Sequence, residues 1–302
     1  MSVSRLLVPL VSLALVPAAS VGLATTRATS VPASAAAPAT PVLVAVRASH
    51  HRSFDRVVFE YRGGLPASRH ARYVHRLIAD GSGDTVPIAG RAMLLVRMER
   101  AQAHTRTGVA TVPMRTAYAW PNVMTSVLSG DFEGVVSYGI GLAKRAPFHV
   151  FTLRNPSRVV VDVRAAFRTS LRKVWFVDGQ RVSDNTPPFV VPTLRPVIPS
   201  TPAIGLLDRL FAGVLDSERA DSLRFVRSGT TGYRLRSIRN GIARVQLTGG
   251  CRRGTGRVTI ADEVQPTLRS LASVQWVKIY SPTGRTEHPS GRTDSIPSCL
   301  AP

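Results

Sequence analysis

The stretch PFHVFTLRNPSRVVVDV, Pro147 to Val163, reads as a strand, a tight turn and a second strand. Val150, Thr152 and Val159 to Val163 are mostly β-branched residues that suit a pleated surface. Asn155-Pro156-Ser157 is turn chemistry: Pro presets φ, and Asn and Ser bond their own backbone. Strand alternation places Val159, Val161 and Val163 on one face and Asp162 on the other. The stretch holds no nucleophile beside a base and no ligand cluster. It predicts the closing hairpin of a β domain, with the chain dividing just after it.

Upstream, short apolar runs alternate with Gly-rich and polar turns. Val42 to Arg47 predicts a strand, and Val57, Phe59 and Tyr61 alternate with Val58 and Glu60 until Gly63-Gly64. Arg72 to Ile78 is a short mixed run. The turn Asp80-Gly81-Ser82-Gly83-Asp84 precedes Val86 to Ile88. Ala92 to Met98 and Val135 to Ile140 complete the set. Many short strands without a convincing helix predict an all-β sandwich over residues 42–168.

Downstream the period changes. Val174 to Asp178 and Val190 to Val197 are extended. Thr201-Pro202 is a helix start, followed by Ile204, Leu207, Leu210 or Phe211 and Val214 at helical spacing. Tyr233 to Arg239 and Ile242 to Leu247 alternate around Asn240-Gly241, a strong hairpin signal. Ile260, Val264, Leu268 and Leu271 mark a second helix, which Pro266 is expected to kink or restart. Val274 to Tyr280 is a last strand. The prediction for residues 169–302 is an α+β domain, a mixed sheet with two helices.

Composition speaks to partners. The formal net charge is +21, and all but three of the 39 basic residues are arginine; the lysines are Lys144, Lys173 and Lys278. An Arg-for-Lys bias also follows from a GC-rich genome, but its field still draws anionic polymers at low salt. Arg5, the apolar run Leu6 to Val16 and the small residues after it have the form of a secretory signal, residues 1–24. Gly22-Leu23-Ala24 and Ala33-Ser34-Ala35 both fit cleavage, so the site extends to as late as residue 37. The alternative is an uncleaved anchor, although a span needs about 20 apolar residues. No Cys follows the run to take a lipid. Residues 25–41 read as an Ala/Thr/Pro tether. After cleavage no integral membrane segment is expected. Export makes nucleic acid a poor partner and places the protein outside the cell or on its wall. There, Cys251 and Cys299 are expected to form a disulfide closing a loop of about 48 residues; two reduced thiols are the alternative.

Two resemblances cover nearly all of the chain beyond the tether. On SFDRVVFEYRGGLP, GDFEGVVSYGIGL and FTLRNPSRVVVDV, residues Val42 to about Arg164 resemble the AMIN-like domain of actinobacterial secreted proteins. The resemblance implies a non-catalytic β-sandwich that binds peptidoglycan and directs envelope proteins. On VWFVDGQRV, TPAIGLLDRLFAG, IRNGIARVQLTGGC and the final segment from VQWVKIY to SCLAP, residues Lys173 to Pro302 resemble a GerMN domain of envelope and spore-germination proteins. Gln246 stands where that family commonly has an acid, and the family's lipid-bearing Cys is absent.

Individual residues say little about catalysis. His50-His51 with Asp55 is a thin metal set, because adjacent histidines on a strand point apart. His70 and His75 lack an acidic partner, and Asp80 to Asp84 lacks the ligands of a calcium loop. Ser228 to Gly232 lacks the Lys-Ser/Thr ending of a phosphate loop. Cys251 has only His288 in its half as a base. The best anion-binding candidates are Arg252, Arg253 and Arg257 beside Cys251, since guanidinium offers paired donors to phosphate and carboxylate; a solvated basic loop is the alternative. Arg234, Arg236 and Arg244 are expected on one polar sheet face. No cofactor and no metal is implied. The expectation is a secreted, non-enzymatic envelope protein that binds peptidoglycan or another anionic wall polymer. The alternative is a regulatory module that binds an envelope protein partner, a wall hydrolase or synthase, and positions or activates it.

Overall fold

Alternation of large apolar with polar side chains builds the first half from nine strands. They are β1 (Val42–His51), β2 (Phe54–Arg62), β3 (Ser68–Val74), β4 (Ala92–Glu99) and β5 (Arg115–Ala117), then β6 (Val123–Phe132), β7 (Val135–Leu142), β8 (Phe148–Leu153) and β9 (Ser157–Arg164). The computed structural model describes residues 39–254 and 256–301; the predicted signal and all but the end of the tether lie outside them. A four-stranded sheet runs β1-β2-β9-β8 and a five-stranded sheet runs β3-β4-β7-β6-β5, every pair antiparallel.

The sheets meet face to face, as a sandwich requires. Val57, Phe59, Tyr61, Val159, Val161 and Val163 of one pack with Leu94, Val96, Met98, Val136, Tyr138 and Ile140 of the other. Each such side chain removed from water contributes about 1.5–3 kcal/mol before entropy is counted. The β8–β9 hairpin forms as predicted, with Asn155 at φ 56° in its turn. Val160, on the opposite face from its neighbours, is also fully buried, because Val58 and Phe151 stand directly across from it on the flanking strands. Asp55 occupies the inward register of β2 and is fully buried. Its carboxylate accepts the N–H groups of Asn122 at 2.6 Å and Val123 at 2.8 Å, which ties β2 to the start of β6.

The second half comprises β10 (Ser170–Asp178), α1 (Gly179–Ser183), β11 (Val190–Val197), α2 (Pro202–Ala212), α3 (Asp216–Ala220) and β12 (Leu223–Arg224). After them come β13 (Thr230–Arg239), β14 (Ile242–Gly249), α4 (Ile260–Arg269) and β15 (Trp276–Tyr280). Sequence predicts a mixed sheet with two helices. The structure has a mixed sheet, β13-β14-β15, in which β14 and β15 are parallel across the α4 crossover. It also has a separate antiparallel sheet, β11-β10-β12. The two longer helices each touch both sheets, and α2 is buried over almost its whole length, so its bulk holds the sheets apart. The two additional helices are single turns of five residues. Asn240 and Gly241, at φ 54° and 76°, form the predicted hairpin turn. Helix α4 runs through Pro266 without a break. The lost hydrogen bond lies near its end, while Thr259 and Asp262 fix its start: the Thr259 hydroxyl accepts from Ala261 N–H, and Asp262 accepts from Thr259 N–H. The Cys251–Cys299 disulfide is present, with the Cα atoms 5.8 Å apart.

Residues 39–302 form one compact unit, and helix α2 joins its halves. Arg91, just before β4, grips Asp208 through two hydrogen bonds of 2.7 and 2.9 Å. The Tyr233 hydroxyl lies 2.7 Å from the same carboxylate. Arg209, 1% exposed, donates to the carbonyls of Tyr118, Trp120 and Pro121 between β5 and β6. Burial lowers the Arg209 guanidinium to about 9, with Arg195 adding to the effect and Asp55 and Asp208 opposing it, so it stays charged at neutral pH. Gly141 makes the contact possible: a Cβ there would sit 2.1 Å from the Ala89 carbonyl, two residues before Arg91.

Two expected outcomes follow from this packing. Arg209→Met leaves one buried and two part-buried carbonyls unpaired and lowers stability by about 2 kcal/mol in urea denaturation, at up to roughly 1 kcal/mol each; a loss under about 0.5 kcal/mol would remove Arg209 as the fastener. The second concerns Glu263 of α4, which is fully buried and accepts the N–H groups of Val177 and Val226. Burial raises its carboxyl well above the ordinary 4.5. The folded state therefore keeps a proton that the unfolded chain has released. The resulting stability is complete below pH 4.5 and is lost as pH rises through the folded value. Glu263→Gln keeps an acceptor and cannot ionise, so its urea midpoint should fall less steeply than the parent's between pH 4.5 and 8; parallel curves would refute the assignment.

Candidate polymer-binding surface

Strand pairing assembles a mixed aromatic and basic face on the outside of the β1-β2-β9-β8 sheet. Phe54 and Arg56 of β2, Asp162 of β9, and His149 and Phe151 of β8 lie in facing registers. Arg56 forks onto Asp162 with two hydrogen bonds of 2.7 Å. That bond raises the Arg56 guanidinium above its ordinary value. The guanidinium carbon lies 5.2 Å from the Phe54 ring centre and 5.3 Å from that of Phe151. His51 stacks on Phe54 at 4.6 Å and His149 on Phe151 at 5.3 Å. Both histidines are exposed, and Phe54, Arg56 and Phe151 are half-buried.

The arrangement is a platform of flat rings around a planar cation. Aromatic faces attract C–H groups and cations through their quadrupole, and sugar rings present such C–H groups. The carboxylate of Asp162 is engaged by Arg56 through both its oxygens. Arg164, exposed at the end of β9, is paired across from Phe54 and adds positive charge beside it.

The predicted arginines are only partly brought together. Arg253 and Arg257 line a cleft of about 290 Å³ under the start of α4. Its walls also carry Asp262, Glu287 and Asp294, so the local charge is mixed. Arg257 donates to the Asn185 side chain. Arg252 packs over Gly229 instead. The other predicted groups take structural places. The His50 ring lies 2.7 Å from Asp55, while His51 faces away onto Phe54. Among the described residues no cluster of three His, Cys, Asp or Glu is close enough to hold a metal. Ser228 accepts the N–H of Ile260 and so belongs to the start of α4. Gln246 accepts from Arg236 and donates to the Pro282 carbonyl, the second of which an ionised acid could not do. Arg236 itself lies 4.3 Å over the Tyr280 ring.

Sequence reasoning does not find the platform. Arg56 and Asp162 are 106 residues apart, and each by itself reads as an ordinary outward polar residue. The only local signals were His149 and Phe151 on alternate positions of the hairpin quoted first, together with Phe54 and Arg56.

Residues 41–165 match the AMIN-like domain family, within one residue at each end of the segment that carries the resemblance. Neither the curated proteins nor the solved structures contain a match to the chain. The aromatic platform and the Asp55 tie both lie inside the matched segment. Among the described residues no helix is long and apolar enough to cross a membrane.

A double-mutant cycle of Arg56→Ala and Asp162→Ala is expected to give a coupling of about 1 kcal/mol in chemical denaturation, the upper range for a partly exposed forked pair. Zero coupling would mean that the platform is not held rigid by this pair.

Proposed function

We propose that the protein is a secreted, non-catalytic component of the cell envelope that binds peptidoglycan or an anionic wall polymer. The AMIN-like segment suggests a peptidoglycan-associated envelope role, and the Cys251–Cys299 disulfide fits an oxidising, extracellular setting. The observation that carries the reading is the platform of Phe54, Arg56, Phe151, His51 and His149 on the open face of that segment. A glycan strand lies across it, sugar C–H groups against the rings, while the field of a chain with net charge +21 holds the polymer's anionic groups nearby. In this reading residues 42–168 are the wall-binding module and residues 173–302, with their GerMN likeness, are a second envelope module. Arg252, Arg253 and Arg257 add anion contacts at its loop.

A second reading, a module that docks on a wall hydrolase or synthase, is favoured by one observation. Leu171 and Leu194, 65% and 54% exposed, lie on the same outer face of β10 and β11. Their apolar surface suits a protein partner better than a polymer.

Sedimentation with purified cell walls separates the readings. Phe54→Ala with Phe151→Ala is expected to weaken retention at least tenfold at 200 mM salt, where purely electrostatic capture has faded. Leu171→Ser with Leu194→Ser leaves retention unchanged. Undiminished retention of the first variant would defeat the platform reading.

A further inference from the structure

Between the two halves lies a cavity that no carboxylate lines. Its volume is about 170 Å³, and its walls carry Arg115 from β5, Arg219 from α3, Arg224 from β12 and Arg227 just beyond it. Ala117, Ala212, Gly213, Val214 and Phe225 complete the lining. We propose that this four-arginine cavity is a binding site for a phosphoryl group. None of the four makes an ion pair among the described residues.

Arg115 carries the argument furthest. One of its terminal nitrogens, Nη2, donates to the Pro87 carbonyl. The other, Nη1, is buried without a hydrogen-bond partner. A buried, unpaired donor on a charged group is costly, and the Arg115 side chain that carries it borders the cavity. Burial lowers the Arg115 guanidinium to about 10, and the charge of Arg227 adds to the effect. Burial also lowers Arg227. Glu263 is the one carboxylate whose field acts on Arg227, and its oxygens are spent on the backbone N–H groups of Val177 and Val226. Phe225 backs Arg227 at 5.1 Å and limits its freedom.

Charge decides the ligand class. The end of α2, at Ala212 and Gly213, contributes roughly half a negative charge from its free carbonyls. Four guanidiniums outweigh that several-fold. A carboxylate has two oxygens and one charge. A phosphoryl group offers three or more acceptors and up to two charges, which match forked guanidinium donors. Arg115 and Arg227 also line a second cavity of about 100 Å³, where the one acid, Asp208, is forked by Arg91. The group enters from the side of Arg219 and Arg224, which are both exposed. The phosphoryl group comes either as free phosphate or as a phosphodiester in a wall polymer, which has one charge and two free oxygens at each link but offers its two ester oxygens as further acceptors; only the second source rests on the wall-binding reading.

The test needs no cell wall, so its failure is separate from failure of that reading. Thermal unfolding and titration calorimetry of the purified protein are run with inorganic phosphate and with acetate at matched ionic strength and pH. Phosphate is expected to bind and raise the melting temperature, and acetate is not. Arg115→Gln and Arg227→Gln are each expected to weaken phosphate binding by about tenfold or more, the loss of one charge-assisted bond. Both are also expected to melt higher than the parent protein without phosphate, because each removes a buried like-charge contact. That gain distinguishes a binding site from a structural role, which would melt lower. Arg292→Gln, exposed and outside the cavity lining, serves as the control and keeps the phosphate response. A glycerol-phosphate oligomer binding more tightly per phosphate than the free ion identifies a polymer source; equal affinity identifies free phosphate. Equal responses to phosphate and acetate, or an undiminished response in both cavity variants, would overturn the site.

Discussion

Helix α2 presents a carboxylate and a guanidinium at successive positions, and each reaches into the other half of the protein. Asp208 receives the fork of Arg91, and Arg209 spends its donors on the carbonyls of Tyr118, Trp120 and Pro121. Buried charges of this kind survive only when paired and hydrogen-bonded on all sides. They hold the helix in one register against the sandwich. Everything found between the halves, including the Arg115 and Arg227 cavity, depends on that register. A sliding or detached second half would expose those arginines to water and dissolve the site.

The positive charge of the chain is not spread evenly in effect. Arg56, Arg91 and Arg195 are each forked onto a carboxylate, so they act as structure and as flat surface. Arg253 and Arg257 share their cleft with three acids, which dilutes their pull on an anion. Arg115, Arg219, Arg224 and Arg227 share theirs with none. The local balance of charge matters more than the total, because fields beyond about 10 Å are screened at 0.1 M salt. A polymer is gathered by the total and held by the sites.

Legibility followed the range of the interaction. The β8–β9 hairpin and the Asn240-Gly241 turn were readable because their chemistry sits within a few neighbouring residues. The capping of α4 by Thr259 and Asp262 is equally local. The division of the second half into two sheets was not readable, since it depends on how much volume α2 and α4 occupy between them. Pro266 does not restart the helix for a related reason: a missing hydrogen bond near the end of a helix that is already capped and packed costs less than breaking that helix.

The amino-acid sequence by itself determined the sandwich class and most of its strands, though not β5 or β6, along with the two longer helices of the second half, the cysteine pair and the overall basic charge. Period, turn chemistry and composition are properties of short windows or of the whole chain, and need no coordinates. Only the tertiary structure decided which arginines are free. Strand pairing brought Arg56 to Asp162, and helix packing brought Arg91 to Asp208 and left Arg115 beside Arg227 without an ion-pair partner among the described residues. A guanidinium's chemistry is set by what lies within a few ångströms of it, and those neighbours come from residues far apart in the chain.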